Sequence, residues 1–133
     1  MRNIDYFIKQ DNNLFAGTHL IIDFWDGIGY DDLEFIRSTL RRAVVASEAT
    51  LLDIHLHYFS ENNGISGVAI LKESHISIHS CPEAGYAAFD IFMCGDCEPY
   101  KAVEVLQEAF EPESSKISNH YRGIINQEGQ EHE

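Results

Sequence analysis

The stretch from Ile65 to Cys81, ISGVAILKESHISIHSC, constrains the fold more than any other because its residues alternate with a period of two. Ile76 and Ile78 fall on one face; Glu73, His75, Ser77, His79 and Cys81 fall on the other. Such a segment belongs in a sheet with one face in the core. Its second face carries a row of reactive groups where a solvent-facing strand more usually carries Lys, Thr and Glu. The run is one long strand or two consecutive ones, ended by Pro82.

The flanking segments fit a sheet of the same kind. FAGTHLIIDFW (Phe15 to Trp25) is rich in β-branched and aromatic residues and closes on the turn DGIG. TLLDIHLHYFS (Thr50 to Ser60) alternates before the turn residues ENNG, GYAAFDIFMCG (Gly85 to Gly95) predicts another strand, and SKISNHYRG (Ser115 to Gly123) a last short one. Two segments break the period. DDLEFIRSTLRRAVVASEA places Leu33, Ile36, Leu40 and Val44 at helical spacing behind two aspartates that suit a helix N-terminus. Pro99 opens a second helix with Val103, Leu106 and Phe110 on one stripe. Long apolar strands, hairpin-like turns and two separated helices predict an α+β two-layer sandwich, an antiparallel sheet with helices on one face. With 133 residues there is room for one core, so a single domain is expected over residues 1–125, followed by a polar tail at 126–133.

Charge and composition remove several functions. A net charge of -13 repels phosphate backbones, so a nucleic-acid partner is not expected. The most apolar run, HLIIDFW, is broken by Asp23, and the N-terminus MRNIDYFIKQ has no uninterrupted apolar stretch, so neither a membrane span nor an export signal is predicted. The odd number of cysteines, Cys81, Cys94 and Cys97, then reads as free thiols in a cytoplasmic protein.

The reactive residues admit three readings. In the plainest, His55, His57, His75 and His79 are surface or satisfied histidines and the cysteines are small hydrophobes. In a second, Cys94 and Cys97 join His79 and Cys81 around a metal, but the two pairs do not flank turns as structural zinc ligands do. The third begins from what a serine hydroxyl can do to its own backbone. The Ser74 oxygen can attack the Glu73 carbonyl and convert the peptide bond to an ester. Elimination then cuts the chain and leaves a dehydroalanine that hydrolyses to a pyruvoyl ketone. Such a ketone condenses with a substrate amine as a Schiff base and acts as an electron sink for decarboxylation, with no added cofactor.

The segment ESHISIHSCPEAGYAAFDIFMCGDC resembles the self-processing region of the short prokaryotic S-adenosylmethionine decarboxylases. GTHLIIDFW, ATLLDIHLHYFS and GISGVAI resemble that family's upstream segments in the same order, so the likeness runs roughly from Gly17 to Phe110. One Glu-Ser-His is weak; Glu-Ser-His with His five residues after the serine and Cys twenty after it is specific.

The resemblance implies cleavage between Glu73 and Ser74, with Ser74 becoming the pyruvoyl group and neither PLP nor a metal required. It implies Ser66 and His79 as processing residues, His79 moving the proton whose loss drives elimination, and Cys94 as the acid that protonates the substrate's α-carbon. Phe59 would stack on adenine and Glu83 would bond the ribose hydroxyls. It also implies a homodimer of processed protomers, each active site built from both, and S-adenosylmethionine as substrate on the route to spermidine. One position departs from the pattern: the family commonly has an aromatic before PE, where this chain has Cys81. That departure keeps a pyruvoyl-dependent ornithine or arginine decarboxylase open as an alternative. A catalytically inactive regulatory partner is another. Cys97 reads as a buried thiol near the second helix.

Overall fold

Alternation decides which side of each strand is covered. In the computed structural model, which describes residues 3–10 and 13–126, the chain runs β1 (Ile8–Gln10), β2 (Asn13–Phe15), β3 (Gly17–Trp25), α1 (Leu33–Ala46), β4 (Leu51–Phe59), β5 (Gly64–Leu71), β6 (Ser74–Cys81), β7 (Tyr86–Cys94), α2 (Pro99–Phe110), β8 (Ser114–Arg122) and β9 (Ile125–Asn126). A single 3₁₀ turn, Pro82–Ala84, links β6 to β7. Six strands form an antiparallel sheet in the order β4-β5-β6-β7-β3-β8. Leu20, Ile22 and Phe24 of β3, Ile76 and Ile78 of β6, and Phe89 and Ile91 of β7 are buried together with Ile36 and Leu40 of α1 and Leu106 and Phe110 of α2. Both helices therefore cover one face, and the fold is the expected two-layer α+β sandwich. Among the described residues, the opposite face carries the histidines and no helix.

Local chemistry fixes the helix ends. Asp32 caps α1 by accepting a bond from the Phe35 amide at 3.0 Å. The helix closes at Ser47, whose hydroxyl donates to the Val44 carbonyl at 2.9 Å, a little before the end of the expected helical segment. Pro99 begins α2 as expected, and Glu111 ends it in the left-handed region.

Several expectations need correction, though the two-strand form of Ile65 to Cys81 is one of the two expected: Leu71 lies opposite Ser74 with only Lys72 and Glu73 between them. Glu73 thus lies in a turn rather than on the reactive face of a strand. Tight hairpins need a residue with positive φ, and here Glu73 supplies it at φ 67°. The turn was hard to see because it holds no Gly, Asn or Pro. Phe15 and Gly17 belong to different strands: the Ala16 amide turns to the Arg122 carbonyl at 2.8 Å, and β2 leaves to join β1 and β9 in a small sheet. Asn126, assigned to the polar tail, pairs with Asn13 in that sheet, and residues 127–133 lie outside the described residues. Strand β8 is not short; it pairs with β3 along its whole length.

Candidate active site

Strand register sorts the candidate residues into two groups at opposite ends of β6. At one end Ser66 of β5 lies opposite His79, with its Oγ 3.0 Å from His79 Nδ1. Phe59 closes β4 nearby, opposite Gly64, and Glu83 sits exposed in the 3₁₀ turn that follows β6. At the other end the Cys94 amide donates to Ser74 Oγ at 3.2 Å, and Glu73 precedes Ser74 in its left-handed turn. Ser74 and His79 share one strand five residues apart, so at about 3.3 Å per residue their backbones are separated by roughly 16 Å. Odd spacing also sends their side chains to opposite faces. Within one chain they do not meet.

The Ser74 end holds a protonated thiol. Burial pushes the Cys94 pKa above its ordinary value, and the Glu73 carboxylate and Cys97 push it further, while a bond with Ser74 works in the other direction. A thiol of that kind keeps its proton at neutral pH. Glu73 is held in a backbone region that costs a non-glycine residue about 1 kcal/mol, at the bond expected to break.

Between the two ends, the open face carries a network that sequence reasoning missed. Asp90 of β7 receives His19 Nε2 at 2.6 Å and His75 Nε2 at 2.9 Å on one oxygen, and Ser77 donates to the other. Arg122 Nη1 stands 3.0 Å from His19 Nδ1. A guanidinium only donates, so His19 accepts through Nδ1 and gives its Nε2 proton to Asp90. Burial pushes the Asp90 carboxyl up, but the bonds from Ser77, His75 and His19 together outweigh it and hold the group below its usual range. An open hollow of about 320 Å³ lies beside Asp90, lined also by His19, Ser77 and His79. The one signal in the sequence was an aspartate inside the apolar run AAFDIFMC. Its partners come from β3, β6 and β8, and only the register brings them to it.

The network can be tested through stability. A depressed folded pKa contributes stability that is complete above the unfolded carboxyl value and is lost as pH falls through the folded one. Asp90→Asn is expected to lower unfolding stability at pH 7 by about 1 kcal/mol, with the gap from the parent closing as acid protonates Asp90. Urea titrations across that range measure it, and a gap that is independent of pH contradicts the assignment.

Neither candidate metal cluster fits a metal. The donor atoms of His19, His75 and Asp90 lie within 4.8 Å of one another, yet Arg122 fixes His19 with its Nε2 proton in place and adds a positive charge beside it. Cys94 and Cys97 do not assemble with His79 and Cys81, which lie toward the far end of the sheet. Cys81 is exposed opposite Tyr86, whose ring lies tilted against Trp25 with centroids 4.5 Å apart and whose hydroxyl donates to Asp23 at 2.6 Å.

Comparison with known proteins identifies the family. The family model for S-adenosylmethionine decarboxylase matches residues 18–123. An S-adenosylmethionine decarboxylase proenzyme from Thermomicrobium roseum is 43% identical over 110 residues, covering 82% of this chain and 95% of that one. One from Methanococcus maripaludis is 41% identical over 112 residues, 82% and 91% of the two chains. The crystal structure of the adenosylmethionine decarboxylase from Aquifex aeolicus superposes with a TM-score of 0.75 at 32% identity, covering 88% of this chain and 98% of that one. The chain belongs to the S-adenosylmethionine decarboxylase family.

Proposed function

We propose that the chain is a proenzyme that cuts itself between Glu73 and Ser74 and then, as a homodimer, decarboxylates S-adenosylmethionine. The observation that carries the dimer is the separation of Ser74 from the Ser66–His79 pair. A processing pair roughly 16 Å away along the strand cannot serve the serine of its own chain. A two-fold axis that sets β6 of one copy antiparallel to β6 of its partner brings the Ser74 end of one copy to the His79 end of the other.

In this reading Ser74 Oγ attacks the Glu73 carbonyl carbon, the C–N bond breaks, and an ester joins the two residues. The strained turn favours the opening. His79 of the other copy, oriented through Nδ1 by Ser66, takes the α-proton of residue 74. The Cβ–Oγ bond of residue 74 then breaks, and the former Glu73 carbonyl leaves with Oγ as the α-carboxylate of the new C-terminus. Water adds to the resulting dehydroalanine, ammonia departs, and a ketone remains on the second chain. That ketone supplies the electron sink for loss of carbon dioxide. Cys94, with its proton retained by burial, delivers that proton to the substrate's α-carbon. Phe59 offers a face, 39% exposed, on which adenine stacks, and Glu83 accepts from the ribose hydroxyls.

The amino-acid decarboxylase alternative rested on Cys81 alone, and the relatives described above are named for S-adenosylmethionine. Nor does a regulatory partner need Ser66, Ser74, His79 and Cys94 together. Carboxyl-labelled S-adenosylmethionine, ornithine and arginine, offered separately to the purified protein, distinguish these readings. Label is expected as carbon dioxide from the first only; release from either amino acid instead, or from none, overturns the proposal. Cys94→Ala should still cleave itself while turnover falls about 10²- to 10⁴-fold.

A further inference from the structure

The second cysteine of CGDC has no part in the reaction just described, yet the fold ties it to the first. Cys94, Gly95, Asp96 and Cys97 form a turn in which the Cys97 amide reaches the Cys94 carbonyl at 3.5 Å. A turn of this type holds its end Cα atoms within about 7 Å. Disulfides span Cα distances of about 4.4 to 6.8 Å. Gly95 takes a left-handed φ of 64°, and a Cβ placed there would meet only the Tyr6 carbonyl, at 4.0 Å, so neighbouring atoms leave the turn room to adjust.

Both thiols are free and partly exposed. Cys97 packs at the margin of the core, and its Sγ makes one long hydrogen-bond contact, 3.8 Å to the Glu48 carbonyl, which a rotation about χ1 gives up at little cost. Cys81 cannot compete. It stands opposite Tyr86, eight residues from Cys94 along β7, about 26 Å away in extended backbone.

We propose that Cys94 and Cys97 are an oxidisable dithiol that closes to an intrachain disulfide by exchange with a low-molecular-weight disulfide. One protein thiolate attacks a sulfur of the small disulfide and releases one small thiol. The second thiolate attacks the resulting mixed disulfide at the protein sulfur and releases the other. Two protein S–H bonds are replaced by one S–S bond, and the two protons and two electrons leave with the two small thiols. Closure turns Cys94 Sγ away from Ser74 toward Cys97 and removes its proton. Resting on the role proposed above for Cys94, this makes decarboxylation sensitive to thiol oxidation.

The test uses the processed dimer in a Cys81→Ser background, equilibrated in glutathione buffers of increasing disulfide fraction. Expected is loss of two hydrogens from the Ser74-derived chain, a fall in turnover of at least about 10²-fold at full oxidation, and recovery with dithiothreitol. A further Cys97→Ser change should keep parental turnover in reducing buffer and form only glutathione adducts when oxidised. No internal disulfide in excess glutathione disulfide overturns the inference, whatever Cys94→Ala does to turnover. A disulfide that forms while turnover stays unchanged leaves the dithiol standing and removes Cys94 as the proton donor.

Discussion

A Ser74→Ala chain is expected to stay in one piece and to release no carbon dioxide from S-adenosylmethionine. Without Oγ no ester forms at Glu73, no ketone follows, and no other group in the proposed mechanism supplies the electron sink. Turnover should fall by about 10⁶-fold or more, the low end of what enzymes add to an uncatalysed rate. Loss of fold does not explain such a result. Ser74 lies at a turn and accepts one bond, from the Cys94 amide, so its removal costs about 1 kcal/mol. Thermal melts of parent and variant, run beside the labelled-carbon-dioxide assay, separate the two causes. A variant that still cuts itself would show that another residue carries the chemistry.

The second large effect is a rescue. His79→Ala alone should remain uncut, because it lacks the base that drives elimination, and Ser74→Ala alone is inert. Co-expressed, the two variants should regain activity. In a mixed dimer the intact Ser74 of one chain faces the intact Ser66–His79 pair of the other. With random pairing, half of the dimers are mixed and each holds one complete site of two, so turnover should reach about one quarter of the parent's. If Ser74 and His79 served the same chain, co-expression would restore nothing.

What could be read from the sequence was what depends on period and residue type. Ile76 and Ile78, the α1 stripe through Ile36, Leu40 and Val44, and the α2 stripe through Val103, Leu106 and Phe110 all go to the core as their spacing demands. Spacing along the chain also brought Ser66, Ser74, His79 and Cys94 to notice. It could not say that they stand at two ends of one strand. That separation depends on a turn at Lys72–Glu73 with no turn residue in it, and on the register that sets Ser66 against His79. The Asp90 network was hidden for the same reason, since Arg122, His19 and His75 become neighbours only once β8, β3, β7 and β6 lie side by side.

The most direct measurement is a denaturing intact-mass spectrum of the freshly purified parent protein. Self-cleavage predicts two chains, Met1 to Glu73 with an ordinary carboxyl terminus, and a second chain ending at Glu133 whose first residue has the mass of pyruvoyl rather than serine. A single chain of full mass that persists on incubation would contradict the account.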